Sequence, residues 1–204
     1  LIDDVGPLAG KTLNNVLIDS YETGPQNWTP GFARSFAQRR DYDLVRWLPA
    51  VTGRVVGDLE QTERFLWDFR RTIADLWHEV YYEYFKELAH QNGLALSAES
   101  YGNGIFDALT GASIADIPMG EFWIDGWASA ALNEEAASAA HIHGRTWVGA
   151  EAFTSGPRGW ECDFFDLKRM GDAMFASGVN RYIFHTYAHQ PWLNRKPGMS
   201  MGVH

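Results

Sequence analysis

The sequence predicts an α/β fold, a partial (β/α)8 TIM barrel of about five parallel strands taken from the C-terminal part of such a barrel. Three observations predict it. Five short, continuously apolar runs alternate with segments of helical period, and uninterrupted apolarity marks strands covered on both faces, as in a parallel sheet. The later runs recur about every 30 residues, the length of one β/α unit. Finally, the first four runs end on Glu22, Glu99, Glu121 and Glu151 and the fifth on His185 and His189, at the strand ends where parallel α/β folds place their chemistry.

The first strand is Val16-Leu-Ile-Asp-Ser-Tyr-Glu22, followed by a loop rich in Gly, Pro and polar residues that reaches Trp28. A short helix is expected over 32 to about 39, then a helical stretch over 43–50 interrupted at Pro49. The clearest helix spans 62 to about 91, with Phe65, Phe69, Ile73, Leu76, Val80, Tyr84 and Leu88 on one face. Gln61-Thr62-Glu63 starts it and Asn92-Gly93 stops it. A strand over 94–99, a loop and a strand over 117–121 come next. An Ala-rich helix over 134–143 ends at Gly144, the strand 146–151 follows, and a helix over 164–177 ends at Gly178 before the strand opening at Arg181.

The order is β-α-β-loop-β-α-β-α-β, and the loops after the strands are longer than the returns from helix to strand, as a catalytic face predicts. A full barrel takes about 250 residues, so the 204 residues read as one domain, 1–204, holding half to two-thirds of a barrel. The alternative is a complete open, doubly wound sheet. That fold usually carries a glycine-rich phosphate turn after its first strand, which Glu22-Thr-Gly-Pro-Gln-Asn is not. The chain opens on Leu1 without an initiator methionine and reads as part of a longer parent, whose remainder is expected to close the barrel.

A net charge of −9 and pI near 5.2 argue against nucleic-acid or anionic-membrane partners. No apolar stretch is long enough to span a bilayer. The lone Cys162 excludes an internal disulfide and has no activating motif around it. Nine Trp, eight Tyr and twelve Phe mostly fill a core, but Trp and Tyr beside carboxylates also suit a carbohydrate.

Glycosidic hydrolysis needs an acid to protonate the leaving oxygen and a second carboxylate as nucleophile or as base for water. Any one strand-end glutamate reads more readily as a loop anchor; four together favour catalysis. Glu22 and Glu151 are suited to face each other across the barrel mouth. His185 reads equally as a buried structural histidine or as a partner for sugar hydroxyls or a carboxylate, and His189 as a site residue. His141 and His143 complement a helix C-terminus, and Arg39-Arg40 and Arg70-Arg71 read as solvated or paired surface charge.

Several separate motifs carry a family resemblance: Asp19-Ser-Tyr-Glu22-Thr-Gly, Tyr42-Asp43 to Gly53-Arg54-Val-Val, Thr62-Glu-Arg-Phe-Leu-Trp-Asp-Phe-Arg70, Ala98-Glu99-Ser-Tyr101-Gly, Gly149-Ala-Glu151-Ala-Phe-Thr and Phe184-His185-Thr-Tyr-Ala-His189-Gln-Pro-Trp192. From about Leu17 onward the chain resembles the catalytic domain of glycoside hydrolase family 106, the bacterial α-L-rhamnosidases. The resemblance implies a (β/α)8 barrel, an inverting mechanism, calcium in the active site and a parent that is extracellular or periplasmic. By motif, Glu22 resembles the general acid and Glu151 the general base, with Glu121 a second claimant for base or a sugar or metal contact. Inversion implies carboxyls about 6.5–9.5 Å apart, retention about 5 Å. Asp19, Tyr21, Tyr101, Asn103, His185, His189 and Trp192 are the implied sugar contacts, and Glu99, Asn103 and Glu121 the implied calcium ligands. The competing readings are a retaining glycosidase acting on another sugar and a non-catalytic carbohydrate-binding fragment.

Overall fold

The computed structural model describes residues 2–24, 26–124, 130–156, 161–186, 192 and 194. β1 (Asn15–Ile18), β2 (Ala95–Ala98), β3 (Ile117–Trp123), β4 (Gly149–Thr154) and β5 (Arg181–Phe184) form one sheet, parallel throughout, in the order β1-β2-β3-β4-β5. Strand order that follows chain order without a reversal is barrel winding. A doubly wound sheet reverses at a switch point, so that alternative is set aside.

The helices are α1 (Ile2–Val5), α2 (Phe32–Arg40), α3 (Leu59–Leu76), α4 (Tyr84–Gln91), α5 (Ala108–Ile114), α6 (Ala131–Ile142) and α7 (Phe164–Ala176), with a 3-10 segment at Val45–Thr52 that tolerates Pro49. Two expectations need correction. The loop expected between the second and third strands contains α5, started by Asp107, whose carboxylate accepts from the Thr110 N–H at 2.9 Å. The helix expected over 62–91 begins earlier, at Leu59 behind the Asp58 cap, and is broken by a π-helical stretch at Trp77–Glu83. Wider π turns rotate every later side chain about the axis. Val80, Tyr84 and Leu88 are therefore 60%, 55% and 39% exposed, while His78, Tyr82 and Ala89 are buried instead.

Three apolar clusters hold the layers together. Ala136, Ala137 and Ala140 of α6 lie against Phe122, Ala150 and Ala152 of the sheet and Val148 just before β4. These small side chains let helix and strand approach so closely that a Cβ on Gly120 would stand 2.6 Å from Asn133 Oδ1 and 2.8 Å from its backbone nitrogen. Ile18, Leu96, Ala98 and Ala115 meet Tyr82 at the β1–β2 side. Phe32, Phe36, Leu44, Phe65, Phe69 and Ile73 form an outer cluster among α2, α3 and the 3-10 segment. Burial of each such aromatic ring is worth about 1.5–3 kcal/mol. Of the two readings open for Arg40 the paired one holds: it bonds Thr72 at 3.0 Å and Asp75 at 2.6 Å, tying α2 to α3.

At the amino end of the strands, Asp116 accepts from the Leu96 N–H (2.9 Å), contacts His90 (2.7 Å) and pairs with Lys86 (3.1 Å). Polar side chains here fasten the fold, while the carboxyl end collects the glutamates. Among the described residues no helix is long and apolar enough to cross a membrane.

Candidate active site

Two loops clamp one another at the carboxyl ends of β1 and β2. The Tyr21 N–H donates to Tyr101 O at 2.9 Å, and the Asn103 N–H donates to Tyr21 O at 2.8 Å. Gly102 lies between them at φ +122°, and a Cβ there would come within 2.0 Å of Tyr21 O. Only glycine fits so close a backbone contact. The Tyr21 ring packs edge-on against Trp77 at 4.6 Å and its hydroxyl donates to Gly24 O, so this tyrosine secures the loop that carries Glu22. Ser20 Oγ donates to Glu22 Oε1 at 2.7 Å.

Glu99 follows β2 and is fully buried, with its N–H on Ile18 O at 2.9 Å. Its Oε2 accepts from the Tyr101 hydroxyl at 2.9 Å. Its Oε1 is buried without a hydrogen bond of ordinary geometry, and the Asp19 carboxyl is among the groups that bear on it. Burial, then the charge of Glu151, pushes the Glu99 carboxyl up to about 9.

β3 and β4 are paired so that Glu121 and Glu151 are direct neighbours across the sheet. Asn133 of α6 donates to Glu121 O at 2.8 Å and fixes the end of β3. Burial, then Glu151, pushes the Glu121 carboxyl up to about 7, against the Trp123 indole, which favours its anion. The Glu151 carboxyl is raised as well, chiefly by burial; His185 and Thr154 oppose that rise.

These groups line one cleft of about 930 Å³, with Asp19, Tyr21, Glu22, Tyr101, Asn103, Glu121, Glu151 and His185 all on its wall. Eight of the residues expected at the site thus converge, with Glu99 buried behind them. Trp192 is 55% exposed and is not part of this wall, and His189 lies outside the described residues. Sequence reasoning missed Ser20, Trp123 and Thr154. Trp123 was detectable, because it stands two places after Glu121 and shares its face of the strand.

One carboxylate oxygen from each of Asp19, Glu99 and Glu151 lies within 4.8 Å of the others. Three clustered acidic oxygens, on a trio that includes Glu99 with its buried, unbonded Oε1, suit a hard divalent cation. Of the calcium ligands implied by resemblance, Glu99 belongs to this trio, whereas Glu121 and Asn103 line the neighbouring cleft wall.

The glycoside hydrolase family 106 model, described as α-L-rhamnosidase, matches residues 1–204. A rhamnosidase from Novosphingobium sp. PP1Y superposes on 99% of the chain with TM-score 0.83 at 37% identity. A protein of Formosa agariphila, provisionally named a β-glucuronidase, is 47% identical over all 204 residues. The chain spans 20% of the first relative's length and 17% of the second's.

Proposed function

The chain belongs to glycoside hydrolase family 106, the α-L-rhamnosidases, and from that premise we propose that it supplies the catalytic carboxylates of a longer enzyme that hydrolyses terminal α-L-rhamnosidic bonds with inversion. The observation that carries this reading is the convergence of five carboxylates, Asp19, Glu22, Glu99, Glu121 and Glu151, from four strand ends onto one site. A cleft so acidic has no use for an anionic ligand, and it suits a reaction that generates positive charge at a sugar's anomeric carbon.

In this mechanism Glu22, its carboxyl held by Ser20, protonates the glycosidic oxygen as the bond to the anomeric carbon breaks. Glu151 takes a proton from the water that attacks the opposite face. Of the two candidate bases it is the better placed, because Thr154 and His185 favour its anion. Glu121, held up near 7, is suited to hydrogen-bond a sugar hydroxyl. The donor set fits calcium: Asp19, Glu99 and Glu151 would hold it, and it would supply the positive charge they lack together with coordination for sugar hydroxyls. The remaining barrel strands come from the rest of the parent.

The Formosa agariphila relative's name raises a second substrate, a β-glucuronide. The described residues of the cleft wall include no Lys or Arg, so a sugar carboxylate would face like charge there. A neutral deoxy sugar fits the wall better.

The test is release of an aryl α-L-rhamnoside by the full-length parent. Glu22→Gln and Glu151→Gln should each lower kcat about 10²–10⁴-fold, and proton NMR should show β-L-rhamnose as the first product. Unchanged rates in both variants would sink the assignment, and α-L-rhamnose first would replace inversion by retention.

A further inference from the structure

Glu151 and Thr154 are three places apart on β4, a spacing that turns two side chains to opposite faces of a regular strand. The β3–β4 register shows why they meet instead. Phe122 pairs with Ala152 and Trp123 with Thr154, so Phe153 is an extra residue, bulged out of the ladder at φ +68°. That left-handed conformation is unfavourable for a phenylalanine. Its ring is held on the helix side of the sheet, edge-on to Phe122 at 4.8 Å and to Tyr182 at 5.2 Å, and beside Gly171 of α7. The bulge returns Thr154 to the face of Glu151. There its fully buried hydroxyl stands 3.5 Å from Glu151 Oε1 and 3.0 Å from His185 Nδ1, itself 3.9 Å from that same oxygen.

A threonine hydroxyl has one proton to give. If it donates to Glu151, the His185 Nδ1–H must donate to Thr154 Oγ1, and the chain runs from imidazole to hydroxyl to carboxylate. We propose that Thr154 is a positioning residue: set in place by the Phe153 bulge, its hydroxyl passes the hold of His185 on to Glu151 and keeps that carboxylate aimed at the attacking water. The proposal rests on the reading of Glu151 as base. The 3.5 Å contact is long for a hydrogen bond and tightens when substrate excludes water.

The experiment uses the full-length parent, first assayed on aryl α-L-rhamnoside and aryl β-D-glucuronide; whichever it cleaves serves for the variants. Thr154→Val keeps the shape and removes the hydroxyl, Thr154→Ser keeps the hydroxyl, and Thr154→Ala replaces Thr154→Val should that variant not fold. Loss of the hydroxyl should lower kcat about 10–100-fold with KM nearly unchanged, and Thr154→Ser should restore most of it. Azide attacks the anomeric carbon without needing a base, forming the C–N bond as the C–O bond breaks and the leaving oxygen takes the acid's proton. It should therefore raise turnover by Thr154→Val and by Glu151→Ala, with glycosyl azide as product. Unchanged kcat, equal losses in Thr154→Val and Thr154→Ser, or no rescue by azide overturns the role of Thr154. Cleavage of the glucuronide alone overturns the rhamnoside reading while the variant series still decides Thr154. Cleavage of neither overturns both.

Discussion

Replacing Glu99 by Gln should make the calcium-free parent enzyme more stable. Glu99 is fully buried, and burial followed by the charge of Glu151 moves its carboxyl from 4.5 to about 9. An acid whose folded value is raised holds its proton in the native state while the unfolded chain has lost it. Stability therefore falls as pH rises from about 4.5 through about 9. At pH 7 the penalty spans about two and a half pH units, which at about 1.36 kcal/mol each is about 3.4 kcal/mol. Coulomb's law gives a similar scale: a like charge no farther than 4.8 Å away costs about 3.5 kcal/mol or more at an effective dielectric of about 20. Glutamine resembles the protonated acid in shape and removes the proton-uptake penalty. Calorimetry in chelator from pH 5 to 9 should show the variant's catalytic-domain transition level with wild type at pH 5 and increasingly above it toward pH 9. Calcium should then raise wild type far more than Glu99→Gln, with affinity for the variant at least about tenfold weaker. A variant less stable than wild type at pH 8 in chelator, or a difference that does not change with pH, would refute the reasoning.

The other perturbations probe the scaffold. Gly102→Ala places a Cβ 2.0 Å from Tyr21 O at φ +122°, so it should force the two loops apart, displace Glu22 and lower kcat/KM by more than about tenfold, as rates and a crystal structure of the variant would show. Asp116→Asn should cost about 1–3 kcal/mol by denaturant titration while leaving kcat intact, since Asp116 lies at the other end of the strands. Burial opposes the Asp116 anion, but the Leu96 N–H, His90 and Lys86 outweigh it and lower its pKa. Its contribution is therefore present above about pH 4 and is lost as pH falls through the lower folded value, so the two proteins should converge in acid. Residues 1–204 expressed alone should aggregate and cleave no rhamnoside, because Leu17, Phe164, Phe165 and Phe184 are 41%, 89%, 85% and 70% exposed. Light scattering and an aryl rhamnoside assay would check both.

The cleft face was legible because a carboxylate at the end of a buried strand is a local pattern, and four of the five strands carried it. What escaped depends on geometry that side-chain periodicity does not encode. The stripe through Val80, Tyr84 and Leu88 assumes 3.6 residues per turn, and the π stretch at Trp77–Glu83 breaks that assumption. α5 is seven residues long with a central glycine, too short and too weak in propensity to announce itself, although Asp107 before it is an ordinary cap signal. Thr154 escaped because alternation assigns it to the face opposite Glu151, and nothing in Phe153 marks a left-handed residue. The trio of Asp19, Glu99 and Glu151 unites residues 19, 99 and 151 through the loop clamp at Gly102 and the strand order, which no spacing in the chain reveals.

The strand order has a consequence for how the chain folds. Among the described residues each strand pairs with those next to it in sequence, so this part of the sheet can grow unit by unit as the chain leaves the ribosome. In that sequence Asp19 and Glu99 come together early, and Glu151 joins when β4 docks. The mutual repulsion of the three acids is thus met only when β4 docks, after the apolar clusters around β1, β2, α2 and α3 can already have formed. Assembly proceeds from the easy contacts to the costly ones, and the chemistry of the mouth does not obstruct the birth of the sheet beneath it.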